Sequence, residues 1–204
     1  VLPKAWVRER KRDYYYKKAK EEKYRSRAVY KLFQAVRKYR FIKHGDVVVD
    51  LGAAPGGWIQ AAKEIVGSEG FALGVDIKPI EPFSVRNVQT IIGDIREQDT
   101  LRQIIELIPR KADVVVSDVA PNVSGVWELD HARQIDLAHK ALEIATEVLK
   151  ADGNFFVKVF QGDMLNDFIA KMKRRFDVVK IIKPKASRAR SSEIFILGMR
   201  LKHL

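Results

Sequence analysis

The chain has 204 residues, 47% of them apolar, with no cysteine and 38 Lys plus Arg against 26 Asp plus Glu, a net charge of +12. That length suits one domain with an ordinary core. The missing thiols exclude disulfides, thiolate metal sites and thiol catalysis, and no run approaches the 18 apolar residues that would span a bilayer.

The N-terminal stretch is basic but interrupted by Glu9, Asp13, Glu21 and Glu22, and it has no apolar core segment. Neither a signal nor a transit peptide is expected, and a cytoplasmic location goes with that. The first residue is Val rather than Met, so the start is expected to be trimmed. Residues 1–25 are expected to form a basic extension, and residues 26–204 the domain proper. Tyrosines alternate with cations in Lys11-Arg12-Asp13-Tyr14-Tyr15-Tyr16-Lys17-Lys18. An isolated charge run is most often a solvated tail. Rings that can stack bases beside cations that hold phosphates raise the weight of an RNA partner, which the net charge also favours.

From Ser26, a candidate N-cap, Val29, Leu32, Phe33 and Val36 follow helical spacing. Lys31 projects off that face and by default is a solvated lysine. Beyond it the pattern alternates. Strands are expected near 46–51, 71–76, 88–92, 113–118, 154–160, 177–183 and 194–201, and helices near 57–66, 98–108, 131–150 and 163–175. Such alternation predicts an α/β fold, a seven-stranded sheet that is mostly parallel with helices on both faces. The loop from Lys183 to Ser192 is too short for a crossover helix, so the last strand should run antiparallel. This is the arrangement of the Rossmann-like class I methyltransferases.

The first strand leads into Asp50-Leu-Gly-Ala-Ala-Pro-Gly-Gly-Trp58. Ligands of open α/β sheets sit at such strand ends, but Gly52 to Gly57 lack the G-x-G-x-x-G spacing of dinucleotide sites. Asp50, just before the turn, would repel a pyrophosphate and attract a ligand carrying an amino group and a sulfonium. S-adenosylmethionine fits that description. A strand–turn–helix of some other α/β domain stays open on this stretch alone. The lack of cysteine removes the pyrimidine C5-methyltransferases that attack the base through a thiolate.

Asp76 closes the second strand, where a carboxylate can accept from ribose hydroxyls; a turn or cap role would account for it equally. Asp94 ends the third strand and is weighed evenly between an adenine contact and turn chemistry. Asp118 leaves the end of a buried strand in Ser117-Asp-Val-Ala-Pro-Asn122. That motif departs from the Asn/Asp-Pro-Pro-aromatic signature of adenine amino-methyltransferases, which counts against a nitrogen acceptor. Lys158 interrupts the apolar strand Phe155-Phe-Val-Lys-Val-Phe160. An idle lysine is costly there; the alternatives are snorkelling at the strand end or a lysine able to act as a base. Glu193 starts the last strand and, on its own, reads as a surface glutamate beside basic neighbours.

Taken in order, Tyr24-Arg-Ser-Arg-Ala-Val-Tyr-Lys-Leu32, the Asp50 to Trp58 loop, Ser117 to Asn122, Val157-Lys-Val-Phe-Gln-Gly162 and Ser191-Ser-Glu-Ile-Phe195 closely resemble the FtsJ/RrmJ family of RNA ribose 2′-O-methyltransferases. The resemblance covers nearly the whole chain from Tyr24. It implies a Lys-Asp-Lys-Glu tetrad at Lys31, Asp118, Lys158 and Glu193. It also implies S-adenosylmethionine contacts in the loop Gly52 to Trp58, Gly56 and Trp58 among them, and at Asp76, Asp94 and Asp118. Two default readings, of Lys31 and Glu193, give way to it. The expected substrate is a uridine of large-subunit ribosomal RNA, with no metal, no membrane and a monomeric enzyme. A transfer-RNA anticodon loop is the alternative substrate, and a non-catalytic ribosome-assembly factor the alternative function. RNA is expected to run along the basic segments Lys4 to Lys31 and Lys171 to Arg190.

Overall fold

A computed structural model describes residues 13–188 and 191–202. The basic run Lys4 to Arg12, and Arg190 at the end of the second basic segment, lie outside the described residues. The central strand β1 (Val47–Leu51) is buried along its whole length, as a β-branched run flanked on both sides should be. It pairs in parallel with β2 (Phe71–Asp76) and with β4 (Ala112–Ser117). Outside these lie β3 (Val88–Ile92) and β5 (Leu149–Phe160), then β7 (Glu193–Leu201) and β6 (Phe176–Ile182), giving the order β3-β2-β1-β4-β5-β7-β6. Only β7 runs against its neighbours. It slots between β5 and β6 because the short loop after β6 turns the chain straight back. The strand order reverses between β1 and β4, so the crevice for a ligand opens at their carboxyl ends.

Alternate residues of each strand face opposite sides. Val47, Val49, Leu51, Val115 and Val157 pack against α4 (Gln98–Leu107), α5 (Trp127–Val148) and α6 (Leu165–Arg175). Val48, Val114, Val116, Phe156 and Phe195 pack against α2 (Val29–Tyr39) and α3 (Gly57–Val66). Helices thus cover both faces, as the strand–helix alternation predicts. Among the described residues, no helix is long and apolar enough to cross a membrane.

Several boundaries differ from the sequence expectation. Ser26 is not the cap of α2: the helix starts at Val29 behind Ala28, with no side-chain cap bond. Ser26 instead fits against the start of α3, where a Cβ on Gly57 would stand 2.2 Å from its Oγ. α5 begins at Trp127, four residues before the expected start at 131, with Glu128 and Asp130 in its first turn, where carboxylates suit the helix dipole. It stops at Val148 because Leu149 is already extended and pairs with Ala112 before the register shifts. A further helix, α1 (Tyr14–Glu21), is capped by Asp13 and buries Ala19. Of its rings, Tyr14 is 67% exposed while others pack inward. Tyr15 and Tyr24 both pack on Tyr30, which is buried, and the Tyr30 hydroxyl donates to Glu22 at 2.6 Å.

Candidate active site

The face of the sheet that carries Phe156 and Phe195 also carries the four tetrad positions, for reasons of register. Lys158 lies two residues beyond Phe156 on β5 and pairs with Phe195 on β7, so the two side chains stand side by side. Glu193 is two residues before Phe195 and shares its face. Ser117 pairs with Val157, which puts Asp118 level with Lys158 where β4 runs into its loop. Lys31, on α2, brings its ammonium 5.6 Å above the Phe195 ring.

The four side chains form two ion pairs. Lys31 Nζ is 2.6 Å from Glu193 Oε1, and Lys158 Nζ is 3.0 Å from Asp118 Oδ1. Lys158 is buried, and its hydrogen bond goes to the Asp118 carbonyl at 2.7 Å. Oδ1 itself has no hydrogen-bond partner, so the 3.0 Å approach is a charge contact off the bonding direction. Glu193 is further fixed by the Ser187 hydroxyl at 2.8 Å, while Lys183 Nζ donates to the Glu193 carbonyl at 2.9 Å. A cavity of about 230 Å³ opens over Lys31 and Glu193, lined also by Arg27, Arg188 and Ser191. Lys31 and Glu193 are therefore not solvated surface residues. Their side chains are only 12% and 14% exposed.

At the ends of β1 and β2 the crevice is acidic. Asp50 is fully buried with neither carboxylate oxygen hydrogen-bonded. Burial pushes its carboxyl well above the usual carboxylate range, and the charges of Asp118 and Asp76 add to that shift. Asp76 braces the glycine loop: one oxygen accepts from the Ala54 amide and the other from the Lys78 amide, both at 2.9 Å. Each oxygen keeps a second lone pair. Asp94 sits beside Asp76, whose carbonyl accepts from the Gly93 amide at 2.9 Å. Arg96 holds the Asp94 carboxyl below its ordinary value through side-chain hydrogen bonds. The loop leaves little room for side chains: a Cβ on Gly52 would press the Val119 backbone at 2.9 Å, and one on Gly56 the Arg25 guanidinium at 2.8 Å. Both residues have positive φ, which favours glycine in any case. Orphaned, buried carboxylate oxygens around a close-fitting loop suit a small cationic ligand, and S-adenosylmethionine is one.

Trp58 is placed differently from the other loop residues. Its indole is buried, donates to the Ala28 carbonyl at 2.8 Å, and stacks on Phe156. It also packs on Phe195, the ring that Lys31 overlies, and so supports the tetrad from below.

Three further residues hold the site and were not singled out in the sequence. Asp130, His131 and Gln134 are buried polar residues on α5. Asp130 accepts from the Ser124 amide and hydroxyl, both at 2.8 Å, and from the Gly125 amide at 3.0 Å. Gln134 Nε2 donates to the carbonyls of Val119 and Lys158 at 3.1 and 3.0 Å, tying the Asp118 loop to the Lys158 strand. Their helical spacing was visible, but polar residues on a helix ordinarily mark its solvent face. Among the described residues no group of three or more His, Asp or Glu is arranged to hold a metal.

A family model described as FtsJ-like methyltransferase matches residues 24–201. A ribosomal RNA large subunit methyltransferase E from Methanocaldococcus jannaschii is 53% identical over 200 residues, covering 97% of this chain and 82% of that protein. One of the same name from Methanosarcina mazei is 54% identical, with coverage of 92% and 69%. A solved structure assigned as a ribosomal RNA methyltransferase of Plasmodium falciparum superposes with a TM-score of 0.75 at 28% identity, covering 87% of this chain and 98% of that one. Fibrillarin from Aeropyrum pernix, in complex with S-adenosyl-L-methionine, shares the fold with a TM-score of 0.60 at 19% identity, over 84% of this chain and 76% of that one.

Proposed function

The chain belongs to the FtsJ-like methyltransferase family, and on that premise we propose that it transfers a methyl group from S-adenosylmethionine to a ribose 2′-hydroxyl of RNA, at a uridine of the large ribosomal subunit. The observation that carries this reading is the pairing of two lysines with two carboxylates beside a crevice whose buried acidic oxygens lack partners. The names of the close relatives support the RNA.

S-adenosylmethionine, when bound, supplies a methyl group on a sulfonium that departs as a neutral thioether, so the leaving group needs no metal. Asp50 and Asp118 face its positive charge, while Asp76 and Asp94 accept from its ribose and adenine. The protein's own task is the acceptor. A sugar hydroxyl is a poor nucleophile at neutral pH, and a positioned base helps. As the neutral amine, Lys158 Nζ takes the 2′-hydroxyl proton while the oxygen–methyl bond forms and the sulfur–methyl bond breaks, and it ends the step as the ammonium beside Asp118. Its anchor on the Asp118 carbonyl fixes the direction of its other hydrogen and its lone pair. Lys31, set by Glu193, orients the ribose beside it.

In this reading residues 1–25 are the basic extension that meets RNA, and residues 26–204 the methyltransferase domain. The enzyme acts as a cytoplasmic monomer. The test is to incubate the protein with methyl-labelled cofactor and large-subunit RNA lacking the modification, then map the labelled nucleotide. Label on a uridine 2′-oxygen is expected; label on a base, or none, overturns the reading.

A further inference from the structure

Beside the tetrad lies a surface that the methyl transfer leaves unused. Val123, Val126, Trp127 and Met164 are all more than 40% exposed, although each belongs to a segment that leaves a catalytic strand. Val123 and Val126 follow Asp118, and Met164 follows the end of β5. They converge on α5, because the Met164 amide donates to His131 Nε2 at 3.3 Å, one turn from Trp127. The indole of Trp127 lies nearly parallel to the rings of His131 and Phe160, at interplanar angles of 17° and 23°. It is held in place and still 45% exposed. Phe160 is two residues beyond Lys158 on β5, roughly 7 Å along the strand.

A flat ring ordered before binding, within a nucleotide's reach of the proposed base, meets the requirements for stacking a nucleobase. Its backing is unusually firm. Asp130 fixes Ser124 and Gly125, and Gln134 fixes Val119 and Lys158, so the loop under the ring moves with the catalytic strand. The occupant is chosen by the charge of the chain and by the site the ring adjoins. A net +12 favours a polyanion over a protein surface, and the patch is a few side chains at the crevice mouth rather than a broad apolar face.

We propose that Trp127, supported by His131 and Phe160, stacks a base of the RNA substrate at or next to the methylated nucleotide. This rests on the methyltransferase reading, but its test is separable from it. Two single-stranded 12-nucleotide RNAs serve as probes, oligouridylate and a ribose-phosphate oligomer of the same length without bases. Trp127→Ala should bind oligouridylate about 5- to 150-fold more weakly than the unaltered protein, the span of one stacked base. It should bind the baseless oligomer equally well and keep its S-adenosylmethionine affinity by calorimetry. Trp127→Phe should recover most of the loss. Unchanged binding of oligouridylate by a Trp127→Ala protein that still binds the cofactor overturns the proposal, as does an equal loss on both oligomers. Methylation of large-subunit RNA by the unaltered protein, run in parallel, reports on the enzymatic reading alone.

Discussion

Replacing Lys158 separates chemistry from architecture most cleanly. In the structure its ammonium makes one hydrogen bond, to the Asp118 carbonyl, and one charge contact, to Asp118 Oδ1. Lys158→Met keeps the volume of the stem and removes both. Oδ1 itself is buried, but the Asp118 side chain as a whole is 22% exposed, so a small rotation brings the oxygen left behind to water. The expected cost in stability is about 1–3 kcal/mol, that of an unpaired polar group, rather than that of a sealed buried pair. A proton acceptor in the transition state contributes ~10²–10⁴ in rate, which is about 2.7–5.5 kcal/mol. The assay is single-turnover methyl transfer with cofactor and RNA both bound, alongside thermal or urea unfolding. Lys158→Met should lose at least a hundredfold in the transfer step while remaining folded and binding both ligands. Lys158→Arg should also fail, because guanidinium stays protonated near neutral pH and its planar fork does not fit the site of one ammonium. A near-native transfer rate in Lys158→Arg would falsify the base assignment and leave Lys158 a charged positioner.

Other outcomes follow from the same geometry. Because the folded protein raises the Asp50 carboxyl above its unfolded value of about 3.9, the native state binds the extra proton, and Asp50 costs stability increasingly as pH rises from that value through the folded one. Asp50→Asn should therefore gain stability over the parent as pH rises through that window, yet bind S-adenosylmethionine more weakly; parallel pH–stability curves for the two proteins would refute this. Calorimetry in buffers of different ionisation enthalpy should show proton release when the parent binds the cofactor, and none in Asp50→Asn. RNA affinity should fall with salt with a log–log slope of about −0.7 per phosphate contact, and deleting residues 1–12 should flatten that slope without changing cofactor affinity. Gly57→Ala should destabilise by about 1–3 kcal/mol, as overpacking does, because its Cβ would meet Ser26 Oγ at 2.2 Å. Pairing it with Ser26→Gly should restore most of the loss in denaturant melts, and no rescue would mean the contact is not the cause.

The parts of this molecule written as local patterns were legible in its sequence. The β-branched run of β1 and the reversed β7 followed from residue pattern and loop length, and the glycine loop from its spacing. The tetrad was different. Lys158 stood out because a charge inside an apolar strand is expensive. Lys31 and Glu193 looked like ordinary surface residues, since what buries each of them is the other, brought from 162 positions away by α2 and β7. The roles of Asp130 and Gln134 were hidden for a related reason. Apart from the Ser124 hydroxyl, their partners are backbone atoms of Ser124, Gly125, Val119 and Lys158, and side-chain identity does not encode such partners. The tyrosines of 14–30 carry two signals at once: Tyr30 is buried while Tyr14 is 67% exposed, and composition alone does not separate them.

The insertion of β7 between β5 and β6 sets a timetable on the ribosome that makes the chain. Asp118 and Lys158 emerge on strands that can pair as soon as both are synthesised. The far edge of β5 then stays unpaired until β7, more than thirty residues later, slides in against it. Until that moment Glu193 is missing, Lys31 has no counter-charge, and the open edge of β5 is a template for wrong pairing. A nascent chain can thus have its cofactor loop in place while its acceptor side is unbuilt. The pairing of Lys31 with Glu193 therefore waits for the last hairpin to close.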